Sequence, residues 1–343
     1  MGRDQERGLR PPAAPTVTPL ATVGLLVDGQ PRTLLLKLES WGEHGSVKGR
    51  TAQALWADVA DRVTPEVGLI ESTSGNLGVA LAAVAASHHV PFTAVMDLRS
   101  SAVLVEAIRA HGADVVMIDE PDGAGGYLLS RLSYVEQRVL AEPRLVWPDQ
   151  YRNPASPRVH RETTAPELWE QSSRRAMSVV VAVSTGGTLA GFRDFARSVR
   201  PDWELVAMDV VGSAALGGAV SERVLPGIGA SRPSEFLPHG HRPTVRVSAS
   251  DAVHACLWLE ATTGLGVGAS SGAAIAAAMR LFRAVPARET VACLCPDGAD
   301  RYQGTIYDPR WRRRQALTGP DPCEGAEVLE VSCPPTGVEV RNR

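Results

Sequence analysis

This chain of 343 residues is nearly without lysine: of its 35 lysines and arginines only two, Lys37 and Lys48, are lysine. It also lacks an excess of either charge. A net charge of −3 gives no electrostatic case for nucleic acid or an anionic membrane as partner. Long hydrophobic runs are missing. The longest run of small apolar residues, Leu77 to Ala86, is too short to cross a bilayer, and the N-terminus has no signal-peptide core. The expectation is a cytoplasmic protein with no membrane partner. Five cysteines in a chain of this length do not make a disulfide framework. Cys293 and Cys295 alternate along a strand-like run as small apolar groups. Cys323 and Cys333 lie in the C-terminal tail, widely spaced and without histidine partners, so no metal site is expected.

What is there is apolar content of 44%, enough for the core of one large or two medium α/β domains. Strand patterns at 33–39, 67–72, 92–96, 114–119, 144–148, 178–183, 204–211 and 290–295 alternate with helix patterns. The helix patterns span 47–63, 76–88, 101–111, 126–141, 158–172, 187–199, 251–263 and 271–284. The strands are apolar on both faces, which predicts mainly parallel sheets covered by helices. Residues 1–17 and 318–343 are polar and proline-rich and are expected to be disordered tails.

Lys48 stands in Gly45-Ser46-Val47-Lys48-Gly49-Arg50, where a strand hands over to a helix. Where arginine has replaced lysine almost everywhere, a retained lysine suggests a need for an amine that can lose its proton and add to a carbonyl. The helix N-terminus and Arg50 are both expected to favour the neutral amine. A surface lysine in an arginine-biased sequence is the plainer alternative.

Three further strand-to-helix junctions carry small polar residues. Thr73-Ser74-Gly75-Asn76-Leu77-Gly78 has more hydrogen-bonding groups than a helix cap needs and reads as a carboxylate-binding turn. Ser184-Thr185-Gly186-Gly187-Thr188 reads as an anion cradle sized for one phosphate. It has neither the lysine of a nucleotide P-loop nor the dinucleotide fingerprint. Gly268-Ala269-Ser270-Ser271-Gly272 allows close approach, either to something flat or to another helix.

Together and in this order these segments resemble the cysteine synthase branch of the fold type II pyridoxal-phosphate enzymes, from about residue 20 to 310. The resemblance implies an α/β fold of the tryptophan synthase β type, two three-layer α/β/α domains with pyridoxal 5'-phosphate in the cleft. It implies that Lys48 forms the Schiff base and that Asn76 meets the ring hydroxyl. The phosphate would lie in the turn of Ser184, Thr185, Gly186, Gly187 and Thr188, and Ser270 would face the pyridine nitrogen. Thr73, Ser74, Asn76 and Gln150 would hold the substrate carboxylate. Pro296-Asp297-Gly298 with Arg301-Tyr302 resembles the family's closing strand. The large domain is expected over 18–46 plus 157–317, and a small, moving, substrate-binding domain over 47–156. A homodimer acting on small amino-acid substrates is expected on the same ground.

Several positions depart from plain cysteine synthases. Gly49 replaces an aspartate, Leu77 a threonine and Ser184 a glycine, and Trp41-Gly42-Glu43 replaces an Asn-Pro. Asp122 to Arg131 and Leu225-Pro226-Gly227-Ile228-Gly229-Ala230-Ser231 resemble instead the N-(2-amino-2-carboxyethyl)-L-glutamate synthase group of diaminopropionate, siderophore and peptide-antibiotic biosynthesis. That resemblance implies β-replacement through an α-aminoacrylate on an O-activated serine, O-phospho-L-serine being favoured, with an amine such as L-glutamate as nucleophile. Arg131, Tyr151 and Ser184 are then candidates for holding the ester. An O-acetylserine sulfhydrylase and a non-catalytic, peptide-binding homologue are the alternatives.

Overall fold

The computed structural model describes residues 16–175 and 177–334. Residues 1–15 and 335–343, parts of the two expected tails, lie outside the described residues. The alternating apolar runs form two sheets. The larger has seven strands in the order β10-β1-β2-β9-β6-β7-β8. These are β1 (Leu20–Val27), β2 (Gln30–Leu38), β6 (Met177–Ala182), β7 (Trp203–Val210), β8 (Thr244–Val247), β9 (Thr290–Cys295) and β10 (Ala326–Ser332). From β2 to β8 the pairing is parallel, and β1 joins β2 and β10 antiparallel. The smaller sheet is parallel, β3 (Leu69–Ser72), β4 (Phe92–Asp97) and β5 (Asp114–Ile118).

Side-chain alternation divides each sheet between two cores. In the large sheet Leu34, Leu36, Val180, Met208 and Cys293 pack with α8 (Ala249–Thr263) and α9 (Ala269–Ala284). Their neighbours Leu35, Val179, Val181, Ala207 and Leu294 pack on the other face, with α6 (Ala165–Gln171) and α7 (Gly187–Val199). The small sheet is sandwiched in the same way. Leu69, Phe92 and Met96 meet α1 (Lys48–Val59), α2 (Asn76–Ser87) and α3 (Ala102–Ala110). Ile70 and Val95 meet Val135 of α4 (Leu128–Ala141). The architecture is two three-layer α/β/α units. All three small-sheet strands fall within 47–156, and the seven strands of the large sheet fall outside it.

Four expectations need correction. The run 144–148 is no strand: only Val146 bridges Leu69, because Pro148, without an N–H, ends the pairing. The helix expected over 158–172 begins earlier, with α5 (Ala155–Val159), and passes through a π-helical turn, His160–Thr164, into α6. β1 and β8 were not among the expected strands. The C-terminal tail is ordered through much of its length. Cys323 is buried in the core, and Val328 and Val331 of β10 pack on that core while the strand pairs with β1. Two inward valines and a free sheet edge outweigh the polar composition that pointed to disorder.

Candidate active site

The loops that carry most of the cleft leave the carboxyl ends of parallel strands, where open α/β sheets leave a crevice. Beyond β2, two tight turns (Glu39–Trp41 and Glu43–Gly45) lead to Lys48, the first residue of α1. The Val47 N–H donates to the Pro296 carbonyl at 2.8 Å, pinning this segment to the end of β9. Position 49 has no room for a side chain, since a Cβ there would lie 2.4 Å from the Glu43 carbonyl oxygen. That contact explains glycine where the resemblance leads one to expect aspartate.

The two lysines have different fates. Lys37 is fully buried and donates to the Thr18 carbonyl (2.7 Å), Glu167 Oε2 (2.7 Å) and Gln171 Oε1 (2.8 Å), so all three protons are used. Lys48 stands on the cavity wall and donates to Gln150 Oε1 at 3.2 Å. Loss of water around it pushes its amine down to about 8, against the opposing pull of Glu71. Arg50 is not the cause, contrary to expectation: its guanidinium is tied to Glu39 Oε2 (2.7 Å) and Glu167 Oε1 (2.6 Å). These buried ion pairs instead clamp the start of α1 between the β2 end and α6.

The carboxylate turn follows β3. The Thr73 hydroxyl accepts the N–H groups of Gly75 and Gly78, both at 3.0 Å, so it holds the turn as well as facing the cavity. Gln150 completes this wall, its Nε2 donating to the Ser72 carbonyl at 2.8 Å. Beneath it lies Glu71, wholly buried and pushed up to about 8 by that burial and by Asp149, although Trp147 and the Gln150 and Ser72 N–H groups donate to it. Asn76 crosses the cleft: its Nδ2 donates to Asp297 Oδ2 at 2.6 Å, and its Oδ1 accepts from Arg301. Tyr302 also donates to Asp297 Oδ2, at 2.8 Å.

The turn after β6 opens α7, whose first N–H groups have no intrahelical acceptor. Ser184, Thr185, Gly186 and Thr188 line the cavity; Gly187 does not, and a Cβ there would meet Ser156. Thr188 Oγ1 lies 3.3 Å from His160 Nε2, and His160 Nδ1 lies 3.0 Å from Thr164 Oγ1. Burial above all, then the charges of Lys48 and Arg50, push His160 down to about 3, so the imidazole is neutral. The Ser184 hydroxyl donates to the Gly229 carbonyl at 3.0 Å, which spends its only proton. The third junction faces two ways. Ser270 lines the cavity, while Gly272 faces α8, where a Cβ would lie 2.2 Å from the Ala252 carbonyl oxygen.

One cavity therefore brings together Lys48, Thr73, Ser74, Asn76, Gln150, Tyr151, Ser184, Thr185, Gly186, Thr188 and Ser270. Arg131 lies in an adjoining one, paired with Asp97 Oδ2 at 3.3 Å. Asp297, Arg301 and Tyr302 also line the main cavity without having been assigned to it by residue. Their signal was Pro-Asp-Gly directly after an apolar strand. Glu71 was given no role, and its signal was an acid directly after the apolar pair Leu69-Ile70 of a strand. The donor set fits pyridoxal phosphate: an amine of lowered basicity for an aldehyde, a helix N-terminus with hydroxyls for a phosphate, and a neutral hydroxyl for a ring nitrogen.

Comparison with known proteins agrees with that chemistry. The family described as pyridoxal-phosphate dependent enzyme matches residues 13–297. The chain is 36% identical to N-(2-amino-2-carboxyethyl)-L-glutamate synthase of Ralstonia nicotianae, covering 88% of this chain and 90% of that one. It is 33% identical to the protein of the same name from Cupriavidus metallidurans, covering 94% and 96%. Among solved structures it is similar to the O-acetylserine dependent cystathionine beta-synthase of Helicobacter pylori. The TM-score is 0.74 and the identity 30%, over 80% of this chain and 90% of that one.

Proposed function

This chain belongs to the pyridoxal-phosphate dependent enzyme family, and from that premise we propose that it replaces the β-substituent of an O-activated L-serine with an amine. O-phospho-L-serine is the favoured ester and L-glutamate the favoured amine. The observation that carries the reading is the meeting, in one cavity, of a lysine amine near 8 with a carboxylate turn and a phosphate cradle. The names of the two relatives support the nucleophile: their product is glutamate bearing, on nitrogen, the three-carbon skeleton of serine joined through its β-carbon.

Bound pyridoxal phosphate supplies the electron withdrawal that makes the α-proton of an amino acid acidic and lets its β-substituent leave. The protein's residues do the rest. Ser184 to Thr188 and the start of α7 would hold the cofactor phosphate, and Ser270 would offer the ring nitrogen a neutral hydroxyl. Thr73, Ser74 and Gln150 hold the substrate carboxylate. Lys48 first fixes the cofactor, then takes the α-proton on Nζ and later returns it. Asn76 and Asp297, hydrogen-bonded to each other, would form part of the wall beside the bound cofactor. Arg131 gives the leaving phosphate a cationic contact, with Tyr151 beside it. Ser184 joins that contact only by giving up its bond to Gly229.

A second reading, an O-acetylserine sulfhydrylase, is favoured by the O-acetylserine dependence of the Helicobacter pylori structure. Mass spectrometry of products from O-phospho-L-serine or O-acetyl-L-serine, each offered with glutamate and with sulfide, decides. The glutamate adduct from the phospho ester supports the first reading. Cysteine from the acetyl ester alone hands the protein to the second. No product from any pair would overturn both readings, and absence of the cofactor's absorbance band would then favour a non-catalytic, peptide-binding role. We read the protein further as a cytoplasmic homodimer. Its free thiols, four of them buried, suit a reducing compartment, and a monomeric mass by light scattering would refute the dimer.

A further inference from the structure

Beside the main cavity lies a second one, which the reaction as read so far uses only through Arg131. Ser74, Tyr151 and Ser184 line both, so the two adjoin. The outer wall of the second carries Arg99 and Arg223. Three guanidinium groups, of Arg99, Arg131 and Arg223, line it with one carboxylate, Asp97, while Glu222 pairs with Arg99 and Asp122 lies near Arg223 from outside the lining. Arg131 is nine-tenths buried; its Nε lies 3.3 Å from Asp97 Oδ2 as an ion pair without hydrogen-bond geometry, and its Nη1 has no hydrogen-bond partner among the described residues. Arg223 is held below the ordinary guanidinium range by burial, with Arg99 adding to that effect and Asp122 opposing it. A wall of this kind suits an anion, because the buried Nη1 of Arg131 keeps a free donor and carboxylate or phosphate oxygens match guanidinium donors.

The chemistry of β-replacement puts two anions near this wall. The ester C–O bond breaks with its electron pair going to phosphate. The C–N bond forms from the amine's lone pair at the same β-carbon. The α-proton held on Lys48 returns to the α-carbon, and the proton shed by the ammonium balances the hydrogen phosphate released. Leaving group and nucleophile both meet at that carbon, in the cavity that adjoins this wall.

We propose that the second cavity receives the side-chain carboxylate of the nucleophile. Arg99 and Arg223 select an amine with two carboxylates, and phosphate and that carboxylate occupy the cavity in turn. This rests on the β-replacement reading. Both arginines also brace loops: Arg99 donates to the Gly125 and Arg223 carbonyls and pairs with Glu222, and Arg223 donates to the Ala124 and Gly212 carbonyls. The test therefore begins with substrates and the unmodified holoenzyme.

Phosphate release from O-phosphoserine without a nucleophile reports the first half of the reaction. Its acceleration by glutamate against glutamine reports the second. Glutamate is expected to be preferred by about tenfold or more in apparent kcat/KM, as for loss of one charge-assisted contact. Calorimetric titration with inorganic phosphate and with glutarate, which lacks an amine, should show each excluding the other. Arg99→Gln should raise the KM for glutamate and shrink its advantage over glutamine, whereas a bracing role alone would slow both amines alike. Equal use of glutamate and glutamine, or simultaneous binding of phosphate and glutarate, overturns the inference alone. Absence of phosphate release from O-phosphoserine overturns the β-replacement reading and this inference with it.

Discussion

Two lysines in a chain of arginines are treated in opposite ways by their surroundings. Lys37 spends every proton on fixed acceptors, whereas Lys48 keeps its amine on a cavity wall with a single glutamine partner. Borohydride reduction of the holoenzyme followed by peptide mapping should therefore label Lys48 and leave Lys37 untouched; label on Lys37 would refute the assignment. The neutral amine is the reactive form, and a lowered value enlarges its share at neutral pH. The rate of cofactor attachment to apoprotein should thus rise with pH and level off near 8, where an ordinary lysine would keep rising to about 10.4. Position 49 permits a test by restoration. Gly49→Asp brings in the aspartate of the resembling family, yet its Cβ would press on the Glu43 carbonyl oxygen at 2.4 Å. We expect a loss of roughly 1–3 kcal/mol in unfolding free energy by denaturant titration. An unchanged midpoint would show that the turn yields freely. Arg131→Ala should lower kcat/KM for O-phosphoserine by about ten- to a hundredfold, from loss of roughly 1.5–3 kcal/mol of charge-assisted contact, with cofactor absorbance retained. Equal turnover of the phospho ester by variant and wild type would remove Arg131 from the ester site.

Among the elements, the π-helical turn His160–Thr164 has a visible consequence. It lies against α7 and brings the His160 ring within 3.3 Å of the Thr188 hydroxyl and 3.4 Å of the Thr51 hydroxyl. A neutral imidazole there joins the start of α7 to α1, so the phosphate cradle and the lysine helix share one buried support. His160→Phe keeps the bulk and removes the hydrogen bonds. Cofactor release in equilibrium dialysis should become about tenfold easier, on the order of one lost hydrogen bond at roughly 1–1.5 kcal/mol. Because the ring is already neutral far below neutrality, wild-type cofactor affinity should show no histidine step between about pH 5 and 8. A step in that window that disappears in His160→Phe would contradict the neutral assignment. α9 shows how a run of small residues serves two ends: Ser270 faces the cavity, and Gly272 lets α8 approach to backbone contact.

For the molecule as a whole, Leu128, Leu132 and Tyr151 of the smaller unit pack in an apolar core of the larger, and across the cleft the two units meet through polar contacts. Asn76 reaches Asp297 and Arg301 from one side, and Arg99 reaches Glu222 and the Arg223 carbonyl at the other end. Such contacts exchange readily with a ligand, and the carboxylate turn belongs wholly to the smaller unit. Substrate should therefore draw the smaller unit inward and exclude water from the reaction. Small-angle scattering of the holoenzyme with and without O-phosphoserine should show a smaller radius of gyration with it, and superimposable curves would count against closure. Much of this was legible in advance because it is local. The period of the apolar residues dictated strands such as β6 and helices such as α7, and the junction motifs marked Lys48, Asn76, Ser184 to Thr188 and Ser270 at their ends. The burial that lowers Lys48, the commitment of the Ser184 hydroxyl to Gly229, and the roles of Asp297 and Glu71 were not legible, since each depends on a partner distant in the chain. The C-terminal strand is the same case: it lies in a tail that is polar and rich in proline, and only the open edge of β1 gives its backbone a partner. Sequence by itself determined which residues stand at the strand ends, because periodicity and capping act between near neighbours. Tertiary structure alone decided their basicity, their hydrogen-bond commitments and which cavity each faces, because desolvation and charge act through space.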